Sequence, residues 1–325
     1  MQQIRFGRTG LRVSRFSIGS ATFGLRSDEA TSRAILDEAS DAGITFIDTA
    51  DSYPIGGTLE HIGRGEEIVG AWLKGRRHNF ILATKGQNRT SLNEWDQGAS
   101  RKHILDAIDA SLRRLQTDYV DLYQIHNPDP NTPIDETLEA LDTVVRSGKA
   151  RYVGCSNFLA YQVARALGRS EARNLARFVS VQLRYNLLFR QIERELVPLC
   201  AEDGLALMAY NPLAAGLLTG THDRSRVPES GRFTNPLYQE RYWHDRQFDT
   251  VDLLRPIAAE AGMPLVTLSV AWILANPTVT CVLLGASRAG HLRESIAALE
   301  TPLDPTLKER LDAITAEYRM GDATR

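Results

Sequence analysis

Short apolar runs alternate with longer amphipathic stretches along most of this chain. Runs rich in Val, Ile and Phe fall at 16–19, 44–49, 80–84, 120–125, 152–155, 178–183, 205–210 and 279–284, which predicts eight strands. Between them the spacing turns helical. Ile104, Ile108, Leu112 and Leu115 share one face, as do Ile134, Leu138, Leu141 and Val145, and later Leu292, Ile296 and Leu299. Asp28 and Ser100 stand where N-caps belong, and Gly148 and Gly204 where helices should stop. Ahead of the first run, residues 4–6 and 11–13 flank Arg8-Thr9-Gly10, a short hairpin with glycine in the turn. Strands separated by single helices must run parallel, through right-handed crossovers. Eight such units without an evident linker predict an α/β fold, a closed (β/α)8 TIM barrel forming one domain over residues 1–325; an open doubly wound sheet is the competing arrangement. The N-terminal hairpin precedes the barrel and an extra amphipathic helix at 304–318 follows it. Only 221–247, with Pro228, Gly231 and Pro236, lacks clean periodicity and reads as a functional loop or a disordered segment.

Composition narrows the function more by exclusion than by assertion. Of 325 residues, 43% are hydrophobic and 24% charged, the profile of a globular protein, and the formal charge of −2 offers no basic footprint for nucleic acid or for a membrane surface. No stretch of about 18 apolar residues predicts a membrane span. Cys155, Cys200 and Cys281 are widely spaced and odd in number, so neither a disulfide framework nor a metal site is expected, and a reducing cytoplasm suits the chain.

In a barrel, function gathers where the strands end. The second run leads into Asp48-Thr49-Ala50-Asp51-Ser52-Tyr53, the third ends at Lys85, the fourth at His126, the fifth at Ser156-Asn157, and the sixth passes Gln182. These groups suit proton transfer to a carbonyl oxygen. A free tyrosine, with a pKa near ~10, is a poor acid at neutral pH. A nearby ammonium lowers that value, and a carboxylate keeps the ammonium charged. Asp48, Lys85 and Tyr53 supply those parts, and His126 supplies a group that can bond the substrate oxygen.

Across the segments Phe46-Ile47-Asp48-Thr49-Ala50-Asp51-Ser52-Tyr53, Ala83-Thr84-Lys85, Asp121-Leu122-Tyr123-Gln124-Ile125-His126, Gly154-Cys155-Ser156-Asn157-Phe158, Val181-Gln182 and Val282-Leu283-Leu284-Gly285-Ala286-Ser287, the chain resembles the aldo-keto reductase superfamily. Its likeness is to the branch that holds the potassium-channel β subunits and many bacterial reductases. The resemblance implies Tyr53 as general acid, Asp48 and Lys85 as its tuning pair, and His126 as the group orienting the carbonyl. It implies NADP(H) as cofactor, with Ser20, Ala21, Asp48, Ser156, Asn157 and Gln182 around the nicotinamide and Tyr210 stacked on its ring. Asn211, Pro212, Leu213, Gly216 and Arg232 would follow the pyrophosphate, and Gly285, Ser287, Arg288, His291, Glu294 and Ser295 the adenosine end. The dinucleotide fingerprint of open sheets is absent: Gly63-Arg64-Gly65 comes nearest, but Ile68 stands where its last glycine belongs. Arg288 can meet a 2′-phosphate as a fork.

Departures from the family pattern mark where this chain is its own. His291 replaces the usual Gln or Arg, and Ser295 an Asn that faces the adenine. Residues 54–65 are longer than the corresponding stretch in relatives and either shape the substrate pocket or extend the surface. Gln87, Asn88, Arg89 and Trp95, with Glu60, His61 and Arg64 and with Tyr238, Tyr242, Trp243 and His244, predict a polar, sugar-like or broad-range carbonyl substrate. The reading is an enzyme reducing an aldehyde or ketone with NADPH. The alternatives are a cofactor-sensing regulatory subunit on the same barrel, which would not need His126, and a keto-sugar reductase. A small-molecule carbonyl partner is expected, with no nucleic acid and no membrane; oligomeric state is unreadable.

Overall fold

The computed structural model describes residues 1–321. Ten strands, β1 (Gln3–Arg5), β2 (Arg12–Ser14), β3 (Phe16–Gly19), β4 (Phe46–Asp48), β5 (Ile81–Gly86), β6 (Val120–Ile125), β7 (Ala150–Ser156), β8 (Phe178–Arg184), β9 (Ala206–Tyr210) and β10 (Val279–Leu284), fall on the expected runs within a few residues. β3 to β10 pair in parallel, each with the next in sequence, and β10 returns to β3, so the sheet closes as a (β/α)8 barrel. β1 and β2 form the separate antiparallel hairpin, with Ile4 opposite Val13. Gly10 lies in its turn as expected, and the left-handed residue there is Gly7 (φ +57°), where a Cβ would lie 2.5 Å from Gly204 O.

Helices α1 (Glu29–Asp41), α2 (Arg64–Leu73), α3 (Arg101–Leu115), α4 (Ile134–Arg146), α5 (Ala160–Ala172) and α6 (Leu196–Asp203) follow successive barrel strands. The Asp28 side chain accepts from Thr31 N and that of Ser100 from His103 N, which caps α1 and α3 as their sequences predict. α7 (Pro236–Tyr242), α8 (Asp245–Glu260) and α9 (Leu265–Leu274) lie between β9 and β10, and α10 (Arg293–Ala297) and α11 (Pro305–Ile314) follow the last strand. α7 corrects the reading of 221–247 as a segment without structure. Asn235 caps it, Pro236 opens it, and Trp243 beyond it packs edgewise on Phe233 and Phe248.

Two hydrophobic layers hold the barrel. Outward residues such as Ile47, Leu82, Tyr123, Val153 and Val181 pack under the helices, while Phe46, Ala83, Leu122, Met208 and Cys281 fill the lower interior. Phe6 closes the floor, its ring edge-on to Phe46 at 5.9 Å. Buried Arg15 spans the seam beneath β3, donating to Thr280 O and Leu274 O at 3.0 Å each and to Val279 O. Among the described residues no single helix is long and apolar enough to cross a membrane.

Candidate active site

Strand alternation decides which side chains meet at the open end. Residues two apart share a face, so the inward line of β4 runs from Phe46 to Asp48, that of β5 from Ala83 to Lys85, and that of β6 from Leu122 to Gln124. The lower layer is apolar and the layer above it polar. Asp48 lies fully buried among three donors: Lys85 Nζ on one oxygen, and Gln124 Nε2 (3.1 Å) and Gln182 Nε2 (2.9 Å) on the other. Lys85 Nζ also donates to Thr49 O at 2.8 Å and to Tyr53 Oη at 3.3 Å. A dry ion pair persists only when its remaining lone pairs and protons are met, and here they are.

Burial works to discharge Lys85, but the Asp48 carboxylate and the Tyr53 oxygen outweigh it and hold the ammonium above its ordinary value. The phenol of Tyr53 is pushed up, first by burial; the charge of Lys85 opposes that and Asp48 adds to it. This reverses the expectation that Lys85 would bring Tyr53 below its usual value, because the dry surroundings outweigh one ammonium that already serves Asp48. Tyr53 is therefore a phenol that keeps its proton at neutral pH.

His126 stands just beyond β6, with its ring edge-on to Tyr53 at 5.6 Å. Burial, then the charge of Lys85, push its pKa down to about 3, so the imidazole is neutral. Its Nδ1 lies 3.0 Å from Asn88 Nδ2. These side chains border a cleft of about 440 Å³. The long segment 54–65 forms one wall of it through Pro54, Ile55, Thr58, Leu59 and Ile62, with Asn88 and Arg89 opposite. The segment thus shapes the pocket.

The polar groups expected to give that pocket its character mostly lie elsewhere. Arg64 pairs with Glu29 and Glu67 on the outer surface. Tyr242 is fully buried, accepting from Asn186 and Asn211 at 3.0 Å, and Trp243 belongs to the aromatic cluster beyond α7. Of the expected polar lining, Asn88 and Arg89 border the cleft.

Residues expected to hold the cofactor fall into three groups. Ser20, Ser156, Asn157, Gln182 and Tyr210 ring the polar layer around Asp48. Ser20 Oγ donates to Thr49 Oγ1 at 2.7 Å, Asn157 Nδ2 lies 3.1 Å from Ser156 Oγ, and Tyr210 Oη donates to Asn157 Oδ1 at 2.9 Å. Ala21 is half-buried beside them, its carbonyl taken by Ile55 N. A second group follows β9. Asn211 spends its side chain on Ala215 N (2.7 Å) and Tyr242, which shapes the turn through Pro212, Leu213 and Gly216 (φ +108°). Arg232 reaches over to β10, where a Cβ on Gly285 would meet its Nη2 at 2.8 Å. Arg26, not anticipated from the sequence, is held below its usual value by burial first and also by the charge of Arg232. Two mutually opposed cations, one of them at a glycine, are what a phosphate would relieve.

The third group is Ser287, Arg288 and His291, all exposed, with Arg288 Nε donating to His291 Nε2 at 2.6 Å and Ser287 Oγ 3.2 Å from His291 Nδ1. Glu294 is exposed, while Ser295 is buried (3% exposed) beneath the short α10. These two do not share one surface. An aromatic ring with amides at one end and Arg232 beside Gly285 at the other fit a nicotinamide dinucleotide.

Sequence reasoning missed Gln124 as a partner of Asp48, and it placed Asn88 in the pocket lining without its contact to His126. Gln124 was findable, since it sits two residues before His126 on the inward face of β6. Asn88 lies in irregular backbone and carries no such signal.

Asp51, two residues before Tyr53, is buried, and among the described residues only Ser52 comes near its carboxyl oxygens, short of good hydrogen-bonding geometry. Burial, then the charge of Glu66, push its pKa up to about 8 against the opposing Arg114. The unfolded chain gives up this proton near pH ~4, the folded chain near 8, so across that window rising pH favours unfolding. Asp51→Asn should therefore raise Tm, with a gain that grows from pH 5 to pH 7.5 by at most roughly 1.4 kcal/mol per pH unit. A pH-independent difference in thermal scans would show that Asp51 is ionised in the fold.

A profile of the Aldo/keto reductase family matches residues 15–316. The chain is 37% identical to "Uncharacterized oxidoreductase YrpG" of Bacillus subtilis (strain 168), over 97% of this chain and 96% of that one. It is 36% identical to a "Probable voltage-gated potassium channel subunit beta" of Oryza sativa subsp. japonica, over 97% and 96% of the two chains. "Protein tas" of Escherichia coli (strain K12) is 33% identical, over 98% of this chain and 99% of its own.

Proposed function

The chain belongs to the aldo/keto reductase family and is on that ground an oxidoreductase of carbonyl compounds, and from this premise we propose that it reduces an aldehyde or ketone to an alcohol with NADPH, Tyr53 giving the proton. The observation that carries the reading is the buried contact of Lys85 with both Asp48 and Tyr53 at the wall of a cleft. Bound NADPH would supply a hydride. The residues do the rest by holding atoms in place, which is where most of such a rate gain resides.

In this reading the carbonyl oxygen sits between Tyr53 Oη and His126. Tyr53 keeps its proton until charge develops on that oxygen, and Lys85 then stabilises the forming phenolate. Asp48 keeps Lys85 charged through the exchange. Gln182 links this machinery to the nicotinamide end, since the amide nitrogen it gives to Asp48 sits beside the oxygen it would offer the carboxamide. Arg26, Arg232 and the turn at Gly216 would take the pyrophosphate, and Arg288 the 2′-phosphate.

The regulatory reading rests on relatives named as potassium channel β subunits. His126 at the cleft argues for chemistry, because a protein that only senses the cofactor has no use for it. The wall of Pro54, Ile55, Leu59 and Ile62 suits a substrate with an apolar portion next to its carbonyl.

NADPH oxidation against aldehydes, ketones, keto-sugars and quinones tests the activity, and no turnover of any would refute it. In fluorescence titrations NADPH should bind more tightly than NADH, and Arg288→Ala should narrow the gap by roughly ten- to a hundred-fold, the worth of a charge-assisted phosphate contact. Equal wild-type affinities would refute the 2′-phosphate assignment.

A further inference from the structure

Three asparagine side chains close a ring on His126, and the ring has a direction. It starts from an atom of known polarity. The main-chain oxygen of His126 can only accept, and Asn157 Nδ2 lies 3.0 Å from it. The same nitrogen lies 3.1 Å from the side chain of Asn127, which must turn its oxygen that way. The nitrogen of Asn127 then faces Asn88 at 2.9 Å, with Gln87 Oε1 at 3.3 Å. Asn88 must answer with its oxygen. Its nitrogen is left to face Ser52 Oγ at 2.9 Å and His126 Nδ1 at 3.0 Å. A carboxamide has one donor end and one acceptor end. One fixed carbonyl therefore orients each amide in turn, which is how such groups are assigned from a network.

We propose that Asn88, oriented by Asn127 and Asn157, is the positioning residue that sets the tautomer of His126: it donates to Nδ1, so the ring proton sits on Nε2, the nitrogen left for the substrate oxygen. The role follows from the ring's logic. With Asn88 reversed, Nδ1 would carry the proton and Nε2 would present a lone pair to the carbonyl, an acceptor facing an acceptor. With Asn88 as found, His126 offers a neutral donor beside the phenol of Tyr53 and adds no charge to oppose Lys85. The relay also reaches the cofactor side, since Tyr210 Oη donates to Asn157 Oδ1 at 2.9 Å. The amide expected at the nicotinamide is thus the one that starts the chain ending at the histidine.

The catalytic use of this tautomer rests on the carbonyl-reductase reading, but the position of the proton does not, and it is measured without turnover. Full-length protein labelled with ¹⁵N-histidine is examined at pH 8 by long-range ¹H–¹⁵N correlation, with the His126 signals assigned by their loss in His126→Gln. Wild type should show a bare Nδ1 and a protonated Nε2. Asn88→Asp, which places an acceptor against the ring, should put a proton on Nδ1. Asn127→Asp makes no hydrogen bond to the ring, yet it should do the same, because a carboxylate there still accepts from Asn157 but can no longer donate to Asn88, which turns over. In that variant kcat for reduction should fall about 100-fold, as for a misplaced catalytic group, with the Kd for NADPH within a few-fold. A proton on Nδ1 in the wild type would overturn the proposal, as would a bare Nδ1 in either aspartate variant. The wild-type spectrum decides even if a variant fails to fold. Absence of any carbonyl turnover would sink the enzyme reading while leaving the tautomer result intact.

Discussion

Replacing Tyr53 with phenylalanine should abolish carbonyl reduction while leaving NADPH affinity within a few-fold. The hydroxyl is the proton source in the reaction proposed here, and the ring that carries it keeps its packing against His126 without it. An interaction made only in the transition state is lost from kcat and from kcat/KM alike. The pH profile carries the same argument. With the phenol raised above its ordinary value and the imidazole pushed down to about 3, neither group titrates near neutrality. Wild-type kcat/KM for reduction should be flat from about pH 5 to 9, falling only once the phenol ionises, above its ordinary pKa of ~10. Steady-state rates with an unactivated ketone provide the measurement. Substantial turnover by Tyr53→Phe would remove Tyr53 from the role, and a break in the profile near pH 7 would mean that a different group supplies the proton.

Lys85→Met should cost both activity and about 3–5 kcal/mol of stability, the usual consequence of leaving one member of a buried ion pair alone. The lysine has no exposed surface and Asp48 almost none. Gln124 and Gln182 would still donate to Asp48, but a carboxylate in dry surroundings needs more than two amide hydrogens. Adding Asp48→Asn to Lys85→Met removes the stranded charge, so the double variant should regain much of the stability and none of the activity. Urea unfolding of the two variants beside the wild type separates these effects. A Lys85→Met protein as stable as the wild type would mean that Asp48 is protonated in the fold.

How far the fold could be read in advance depended on the range of the forces involved. Barrel strands were legible because residues such as Val120, Leu122, Tyr123 and Ile125 are buried on both sides and leave a continuous apolar run. α7 was not, because it spans two turns and is held by the aromatic contacts of Phe233 and Trp243, which no window of sequence displays. Gly7 went unmarked for a related reason: it is required by its approach to Gly204, nearly two hundred positions away. At the site, Asp48, Tyr53, Lys85 and His126 were legible because strand ends converge in a barrel and because the motifs resemble a family. Whether a loop side chain faces the cleft was not legible. Arg64, like Arg89 an arginine, opens α2 and points outward, and Tyr242 ends α7 and turns into the core, so hydrogen-bonding character alone did not decide. Asn88 was expected in the lining, but its contact with His126 was not, since an asparagine gains that role here only from the amides on either side of it.

The seam where β10 meets β3 has a consequence for how the protein is made. Arg15 takes its partners from residues 274, 279 and 280, so the first barrel strand waits for the last. Closing so long a loop is entropically slow. In a chain emerging from the ribosome the edges of β3 and β9 have no partner until Val279–Leu284 has been synthesised. Exposed edges of that kind are where nascent chains stick to one another. The seam thus couples barrel closure to the last strand of the fold, and those two edges stay open to other chains until it arrives.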